Sequence, residues 1–464
     1  MEALVIAAGM GRRLNHRTSP KPLARLLGLS LIERTIHVAK QAGITGFKIV
    51  VGYQGTRIMQ TLGTGAKYGN TIDYIHNRAW PKGNGTSVLA ARCAIEPPFV
   101  LLMADHLCEE SLLADLIKCQ VREGECVLAI DRNLKSSHFS LDDVTRVHAE
   151  NGLVTRIGKS VHRYNALDTG FFLCSSAIFD ALERTVARGR YDLSSGNQIL
   201  ADMSALRTLD VTGKLWIDVD DEVAYRKARR ILLDSLVKPT DGPVSKQLNR
   251  KISARISALL SSLKVTPNHL TVFSFVVAAI SAFCFFQATP LWIMVGGVLA
   301  QISSILDGCD GEIARLKFQH SFFGAWLDRV LDRYADGLIL LGMSYAVWHH
   351  SSNPMVWLVG GLALMGTFMN SYTAVAYDKL LARRAAKRKF TFRMGRDVRL
   401  FAIFVGAVFN QLWAILVGLM LITNFESIRR LFALRHVPPG RQITGKRVAK
   451  DYLPLGGAGG FSTR

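Results

Sequence analysis

DGCDGEIARLKFQHSFFGAWLDRVLD, residues 307–332, sets Asp307, Asp310, Gly311, Ala314 and Arg315 ahead of Gly324, Asp328 and Asp332. Successive residues of a helix turn by about 100°, so the first five share one helical face and the last three share another. Four carboxylates then address one space. Residues 290–306 before them and 337–348 after them are apolar enough to enter a bilayer, which puts the cluster near a membrane boundary. Unpaired, four carboxylates could not all stay ionised there. A divalent cation with oxygen ligands, Mg²⁺ with Mn²⁺ as the alternative, holds such a cluster charged, usually with a phosphate-bearing substrate completing its shell. Gly311 and Ala314, nearly without side chains, leave a hollow beside the metal for a nucleotide. The competing reading is a helical hairpin whose acids merely pair with Arg315, Arg329 and Arg333.

Position for position, this spacing resembles the signature of the CDP-alcohol phosphotransferase family. The resemblance implies a transferase that binds a CDP-activated alcohol, directs an acceptor hydroxyl at its β-phosphate and releases CMP. It implies further that Asp307, Asp310 and Asp328 hold metal, that Asp332 contacts metal and acts as general base, and that Arg315 steadies the pyrophosphate.

Composition fits a chain only partly in water. Of 464 residues 49% are hydrophobic and 20% charged, and the net charge is +21. Residues 1–240 hold 31 Lys and Arg against 25 Asp and Glu, leaving 26 against 11 for the remainder. The basic excess lies in loops beside apolar runs, which points to anionic lipid headgroups and phosphorylated substrates rather than nucleic acid. Cys93, Cys108, Cys119, Cys126, Cys174, Cys284 and Cys309 form no CxxC and are odd in number, as expected of free thiols in a reducing compartment.

Six apolar stretches are expected to span: about 269–287, 290–308, 323–348, 354–376, 397–411 and 412–431. Lys and Arg are confined to alternate connections: Arg315 and Lys317 in one, and Lys379, Arg383, Arg384, Lys387, Arg388, Lys389, Arg393 and Arg396 in another. Because positive charge marks the cytoplasmic side, both termini and both sites are expected inside a multi-pass membrane protein. Arg396 and Arg399 flank Asp397 on one face at the entry to the fifth stretch. Two guanidiniums there suit the phosphate of a phosphorylated acceptor. Residues 244–263 alternate cations with Leu, Ile and Ala at helical spacing, the pattern of an interfacial helix.

The amino-terminal half opens with a short apolar strand, residues 4–8, followed at once by Gly9, Met10, Gly11, Arg12 and Arg13. A strand running into a Gly-rich turn brings backbone N–H groups against phosphate, with Arg12, Arg13 and Lys21 as charge. The first eleven residues carry too short an apolar run for a signal peptide and read as the first strand of a cytoplasmic domain. No GxxxxGK[ST] is present, and Gly11 has no third Rossmann glycine after it. The longer string LVIAAGMGRRL…SPKPLARLLG resembles the sugar-phosphate nucleotidyltransferases, an α/β Rossmann-like fold. The resemblance implies nucleotide contacts at Ala8, Gly9, Gly11 and Lys21, a second nucleotide loop at Lys82, Asn84, Gly85 and Thr86, and metal on Asp105 with Asp218 or Asp220, Asp218 favoured. It also implies charge stabilisation by Lys21 and Arg12 and acceptor contacts from Asp168, Thr169 and Gly170.

One half makes a nucleotide-activated phosphate and the other consumes a CDP-alcohol. The whole of residues 1–432 resembles the family of bifunctional inositol-1-phosphate cytidylyltransferase and di-myo-inositol-phosphate-phosphate synthases. That implies CTP and a polyol phosphate, inositol 1-phosphate, as substrates and CDP-polyol as the shared intermediate, with a homodimer through the membrane half as a candidate assembly. The expected division is a cytidylyltransferase domain at 1–238, a linker with the interfacial helix at 239–268, an all-α six-span transmembrane domain at 269–432 and a basic, unstructured tail at 433–464. Two other functions compete: a phospholipid synthase using a CDP-alcohol or CDP-diacylglycerol, and a non-catalytic membrane scaffold that senses nucleotide. Lys21, Asp105 and the four motif aspartates argue against the scaffold.

Overall fold

The computed structural model describes residues 1–14, 18–134, 144–238, 241–383 and 394–435. The cations Arg384, Lys387, Arg388, Lys389 and Arg393 and the tail from 436 onward fall outside them, as do the side chains of Arg12, Lys379 and Arg383. Two compact units are present. One comprises Met1–Pro239, Ile252–Pro267 and Cys309–Ser321; the other comprises Thr240–Lys251, Asn268–Gly308 and Phe322–Arg464.

The first unit is built on a nine-stranded sheet. In spatial order its strands are Thr71–His76, Gly46–Val51, Glu2–Ala7, Phe99–Met103, Ala166–Cys174, Cys126–Asp131, Leu206–Asp210, Leu153–Gly158 and Arg146–Glu150. The first four run parallel, which is the doubly wound order expected from the opening strand, and Ala166–Cys174 then pairs antiparallel on both sides. Parallel strands here are covered on both faces. Leu4 and Ile6 of the first strand pack with Phe99, Leu101 and Phe172, whereas Ala3 and Val5 pack on the other face with Phe47, Ile32 and Phe171. The strand carboxyl ends therefore carry the loops that build the site. A small antiparallel pair, His106–Cys108 with Trp216–Asp218, lies at that end and places His106 directly opposite Asp218.

Helix Leu31–Gln41 begins with a reciprocal cap: Ser30 Oγ accepts from Glu33 N, and the Glu33 carboxylate accepts from Ser30 N at 3.0 Å. Segments Ile252–Pro267 and Cys309–Ser321 complete this unit. Leu27, Leu236, Ala258 and Leu316 form one apolar cluster. The rings of His37 and Phe318 stack at 4.9 Å, and Lys317 Nζ donates to the carbonyls of Leu263 and Val265 at 2.7 and 3.1 Å. Over 244–263 the chain forms a π-turn, Ser245–Asn249, and then helix Arg250–Leu260. Ser253, Ser257 and Ala258 are buried, while Lys251 and Arg255 are exposed together with Ile252 and Leu259, so the outward side carries cations and apolar side chains alike.

The second unit is helical. The six apolar stretches become helices Pro267–Phe286, Pro290–Leu316, Phe322–Ser351, Met355–Arg383, Arg396–Val408 and Leu412–Arg435. Their shared core includes Phe285, Ile293, Ile339, Met343, Ile403 and Leu416. Outward they present Phe283, Leu291, Leu358, Met365 and Phe425, large apolar side chains at positions that a water-soluble bundle would fill with charge. Among the described residues, four helices are long and apolar enough to cross a membrane: Pro267–Phe286, Pro290–Leu316, Met355–Ala374 and Leu412–Phe432. The two others of the expected six fall short for different reasons. Phe322–Ser351 carries Asp328, Arg329, Asp332, Arg333 and Asp336 in its first half, and Arg396–Val408 is only 13 residues long.

Candidate active sites

Each unit carries a cluster of carboxylates, assembled by different means. In the first unit a cavity of about 490 Å³ opens at the carboxyl ends of the parallel strands, lined by Gly9, Gly11, Lys21, Asp105, Asp168 and Asp218 among others. Gly11 has φ +60°, and a Cβ there would collide with the Lys21 side chain, so the turn and the lysine's approach both depend on glycine. Lys21 is only 4% exposed. Its Nζ donates to Asp105 Oδ2 at 2.6 Å and to Asp220, and lies 4.0 Å from Asp218 Oδ1. Burial alone would lower the Lys21 pKa; Asp105, Asp218 and Asp220 outweigh it and hold the ammonium charged.

His106 closes the other side of this cluster. Its Nε2 lies 3.3 Å from Asp218 Oδ2 and 3.9 Å from Asp105 Oδ1, and its Nδ1 donates to the carbonyl of Thr169 at 3.0 Å. Against the effect of burial, Asp218 and Asp105 push the imidazole pKa up to about 10. Burial also opposes ionisation of Asp218, but His106 and Lys21 hold its carboxyl well below the usual range. Asp220, raised by burial and by Asp218 beside it, is met by Lys21 and by Arg13 at 3.3 Å. Asp168 is pushed up to about 6 by burial, and its Oδ1 accepts from Gly170 N at 2.8 Å.

Asp105, His106 and Asp218 each offer a ligand atom, and these atoms lie within 4.8 Å of one another. Asp218 Oδ1 is buried and accepts no hydrogen bond among the described residues. Two carboxylates, one of them with an orphaned oxygen, fit a divalent cation, while both ring nitrogens of His106 are already engaged. Of the second loop, Gly83, Asn84 and Ser87 line the cavity. Gly85 and Thr86 are turned to structural work: Gly85 N donates to Tyr191 O at 2.9 Å and Thr86 Oγ1 to Gly83 O at 2.7 Å. Lys82 lies over the Tyr191 ring, and Ala8 is buried beneath the turn.

In the second unit helices Pro290–Leu316 and Phe322–Ser351 bring Asp307, Asp328 and Asp332 together, with ligand oxygens within 4.8 Å of one another. An all-carboxylate set suits a hard divalent cation. Arg396 reaches into it from the start of its helix: NH1 lies 2.6 Å from Asp332 and 3.1 Å from Asp307, while Nε donates to Asp336 Oδ1 at 2.9 Å. Arg399 donates to Asp336 Oδ2 at 3.0 Å and to Ser371 Oγ at 3.3 Å. Arg399 and Asp336 are both 4% exposed, so this is a buried, mutually satisfied pair. Asp310 and Gly311, on the next turn of the Asp307 helix, fall in the first unit with Ala314 and Arg315. There Arg315 NH2 donates to Leu236 O at 3.1 Å.

His106 and Asp336 are the side chains that sequence reasoning missed. Asp336 stands one turn beyond Asp332, a spacing visible in the sequence; His106 adjoins Asp105, but only the register with Asp218 gives that adjacency meaning. All seven cysteines are free thiols.

Known proteins share both halves. Residues 264–428 match the CDP-alcohol phosphatidyltransferase family, and residues 3–192 match the MobA-like NTP transferase domain. Over 443 residues the chain is 34% identical to a bifunctional IPC transferase and DIPP synthase of Rubrobacter xylanophilus, covering 93% of this chain and 96% of that protein. Its counterpart in Aquifex aeolicus is 33% identical over 438 residues, 93% of this chain and 97% of that protein. Among solved structures, the inositol-1-phosphate CTP transferase from T. maritima covers 50% of this chain and 94% of its own, at 23% identity and a TM-score of 0.45.

Proposed function

The chain belongs to the family of bifunctional IPC transferase and DIPP synthase proteins, and from that premise we propose that it makes and then consumes CDP-inositol. It is a transferase with a nucleotidyltransferase half and a CDP-alcohol phosphotransferase half. What carries the substrate assignment is the presence, in one chain, of the Lys21–Asp105–Asp218 cluster and the Asp307–Asp328–Asp332 cluster.

In the first reaction a phosphate oxygen of inositol 1-phosphate attacks the α-phosphorus of CTP, the bond to the β-phosphate breaks, and pyrophosphate leaves. No protein nucleophile takes part. Lys21 and Arg12 stabilise the charge that builds on the α-phosphate, Asp105 and Asp218 would hold Mg²⁺, and Asp220 keeps Lys21 in place. The segment from Asp168 to Gly170 meets the hydroxyls of the polyol. In the second reaction Asp332 takes the proton from the acceptor hydroxyl, that oxygen attacks the β-phosphorus of CDP-inositol, and CMP leaves. Asp307, Asp310 and Asp328, with Asp332 also in contact, would hold a second Mg²⁺, Gly311 and Ala314 leave room for the nucleotide, and Arg315 steadies the pyrophosphate. Bound at either site, Mg²⁺ or Mn²⁺ neutralises phosphate charge and polarises the phosphorus under attack. Arg396 and Arg399 hold the phosphate of the acceptor, an inositol phosphate.

The six helices of the second unit cross the membrane, the 13-residue Arg396–Val408 as its shortest span, with both termini and both sites in the cytoplasm; the alternating basic connections support this orientation. The protein pairs through its membrane half. Mass spectrometry of the products formed by purified protein from CTP, Mg²⁺ and a panel of polyol phosphates tests the assignment. CDP-inositol followed by a phosphodiester of two inositols is the expected pair of products. A lipid product made from added diacylglycerol or CDP-diacylglycerol would put a phospholipid synthase in its place.

A further inference from the structure

His106 touches both halves of the first site, and its placement is specified from three directions. Antiparallel pairing sets it opposite Asp218 across the two-stranded sheet, on the side where cross-strand neighbours interact. On its far side the pairing of Ala166–Cys174 with Cys126–Asp131 shifts register between Asp168 and Phe172. Such an irregularity turns backbone groups out of the ladder. The Thr169 carbonyl is one of them, and it accepts the Nδ1–H of His106 at 3.0 Å. Thr169 is itself fixed to the sheet, its Oγ1 donating to Ala129 O at 2.7 Å. Gly170 has φ +80°, and a Cβ there would collide with the imidazole. The edge of the Phe171 ring packs against it at a centroid distance of 6.0 Å.

We propose that His106 is a positioning residue that ties the metal-holding Asp218 to the acceptor-facing segment 168–170, so that the two halves of the cytidylyl-transfer site keep one spacing. This rests on the cytidylyltransferase reading of the first unit. Nε2 takes Asp218 Oδ2 and leaves Oδ1, which has no hydrogen-bond partner among the described residues, as the oxygen presented to the cation. Nδ1 holds the Thr169 carbonyl and with it the Gly170 N–H of the same peptide unit, which fixes Asp168. Outer partners that orient a ligand carboxylate change metal affinity by about 10–100-fold when removed.

The two ring nitrogens can be tested apart in the full-length protein. His106→Gln keeps a donor near the Nε2 position and loses the Thr169 bond; His106→Asn keeps a donor near Nδ1 and loses Asp218. Pyrophosphate release gives the Michaelis constants for CTP and inositol 1-phosphate. Mn²⁺ binding to substrate-free protein is read by paramagnetic resonance in an Asp328→Asn background, which weakens the second cluster. His106→Asn is expected to weaken Mn²⁺ binding about 10-fold or more with the inositol phosphate constant nearly unchanged. His106→Gln is expected to do the opposite. If both variants instead lose turnover or thermal stability alike, or change nothing, His106 is a packing residue and the inference is overturned. Wild-type protein that releases no pyrophosphate from CTP with any polyol phosphate would overturn the cytidylyltransferase reading beneath it, whereas active wild type without the split overturns His106 alone.

Discussion

In the first unit Lys21 is a buried cation facing three carboxylates, and the loss of its charge leaves Asp105, Asp218 and Asp220 to repel one another as well as the incoming phosphates. Lys21→Ala and Asp105→Asn are each expected to lower pyrophosphate release by about 10²-fold or more while transfer from supplied CDP-inositol continues. Asp332→Asn is expected to do the reverse: transfer falls about 10²-fold and CDP-inositol accumulates, as chromatography of the nucleotide products will show. Arg399→Ala should raise the Michaelis constant for the phosphorylated acceptor far more than that for CDP-inositol. It should also lower thermal stability, because one partner is removed from a buried ion pair with Asp336. The gathering of Asp307, Asp328 and Asp332 was legible because a helix converts spacing into a shared face; Asp310, expected with them, is not in that cluster. Gly85 and Thr86, expected in a loop, stand instead in the first turn of helix Asn84–Leu89, and no spacing shows that Tyr191 will take the Gly85 N–H. Nor does the sequence show that Arg396 and Arg399 are already bound to Asp336, a contact between helices distant in the chain.

Helices make their own predictions. The cap on Leu31–Gln41 satisfies end groups through Ser30 and Glu33, so Ser30→Ala is expected to destabilise the protein by about 1 kcal/mol, read as a fall in Tm. Burial opposes ionisation of Glu33, but hydrogen bonds from Ser30 and Tyr68 and the charge of Lys67 hold its carboxyl below the usual value of 4.5. Its contribution is therefore present above about pH 4.5 and lost as pH falls through the lower folded value, and Glu33→Gln should flatten that acid limb of a stability profile. In the membrane half all six helices begin within about two residues of the apolar runs, but two of them continue well past the expected ends, to Leu316 and Arg383, because helical hydrogen bonding does not stop where hydropathy does. Whether each crosses depends on what its charges pair with, which hydropathy does not register: Asp328, Asp332 and Asp336 sit in a helix that meets Arg396 and Arg399. Cysteines introduced at Ser351 and Arg388, with exposed Cys93 replaced, should separate on treatment of intact cells with an impermeant maleimide. Labelling at 351 alone supports the orientation, and labelling at 388 alone inverts it.

At the scale of the molecule, compactness does not follow the order of the chain. The helix Pro290–Leu316 begins in one unit and ends in the other, and the turn after it, through Phe318, packs on His37. A protein cut after Lys238 keeps the whole nine-stranded sheet and the Lys21 cluster, so it is expected to release pyrophosphate from CTP. It also uncovers Leu27 and Leu236, which Ala258 and Leu316 cover in the full chain. That truncated protein should melt at a lower temperature than the corresponding transition of the full chain, and light scattering should show it associating; Leu236→Glu is expected to restore its dispersity.

The fastening of residues 309–321 onto the first unit also bears on how the protein is made. A ribosome delivers the nine strands well before it delivers Phe318 and Lys317, and amino-terminal domains fold as they emerge. By the time the second long helix leaves the tunnel, the face carrying His37 and Leu27 is already in place to receive its end. The end of that helix is thus received by a surface that has already folded, and its contacts with His37 and Leu27 form without waiting for the rest of the chain.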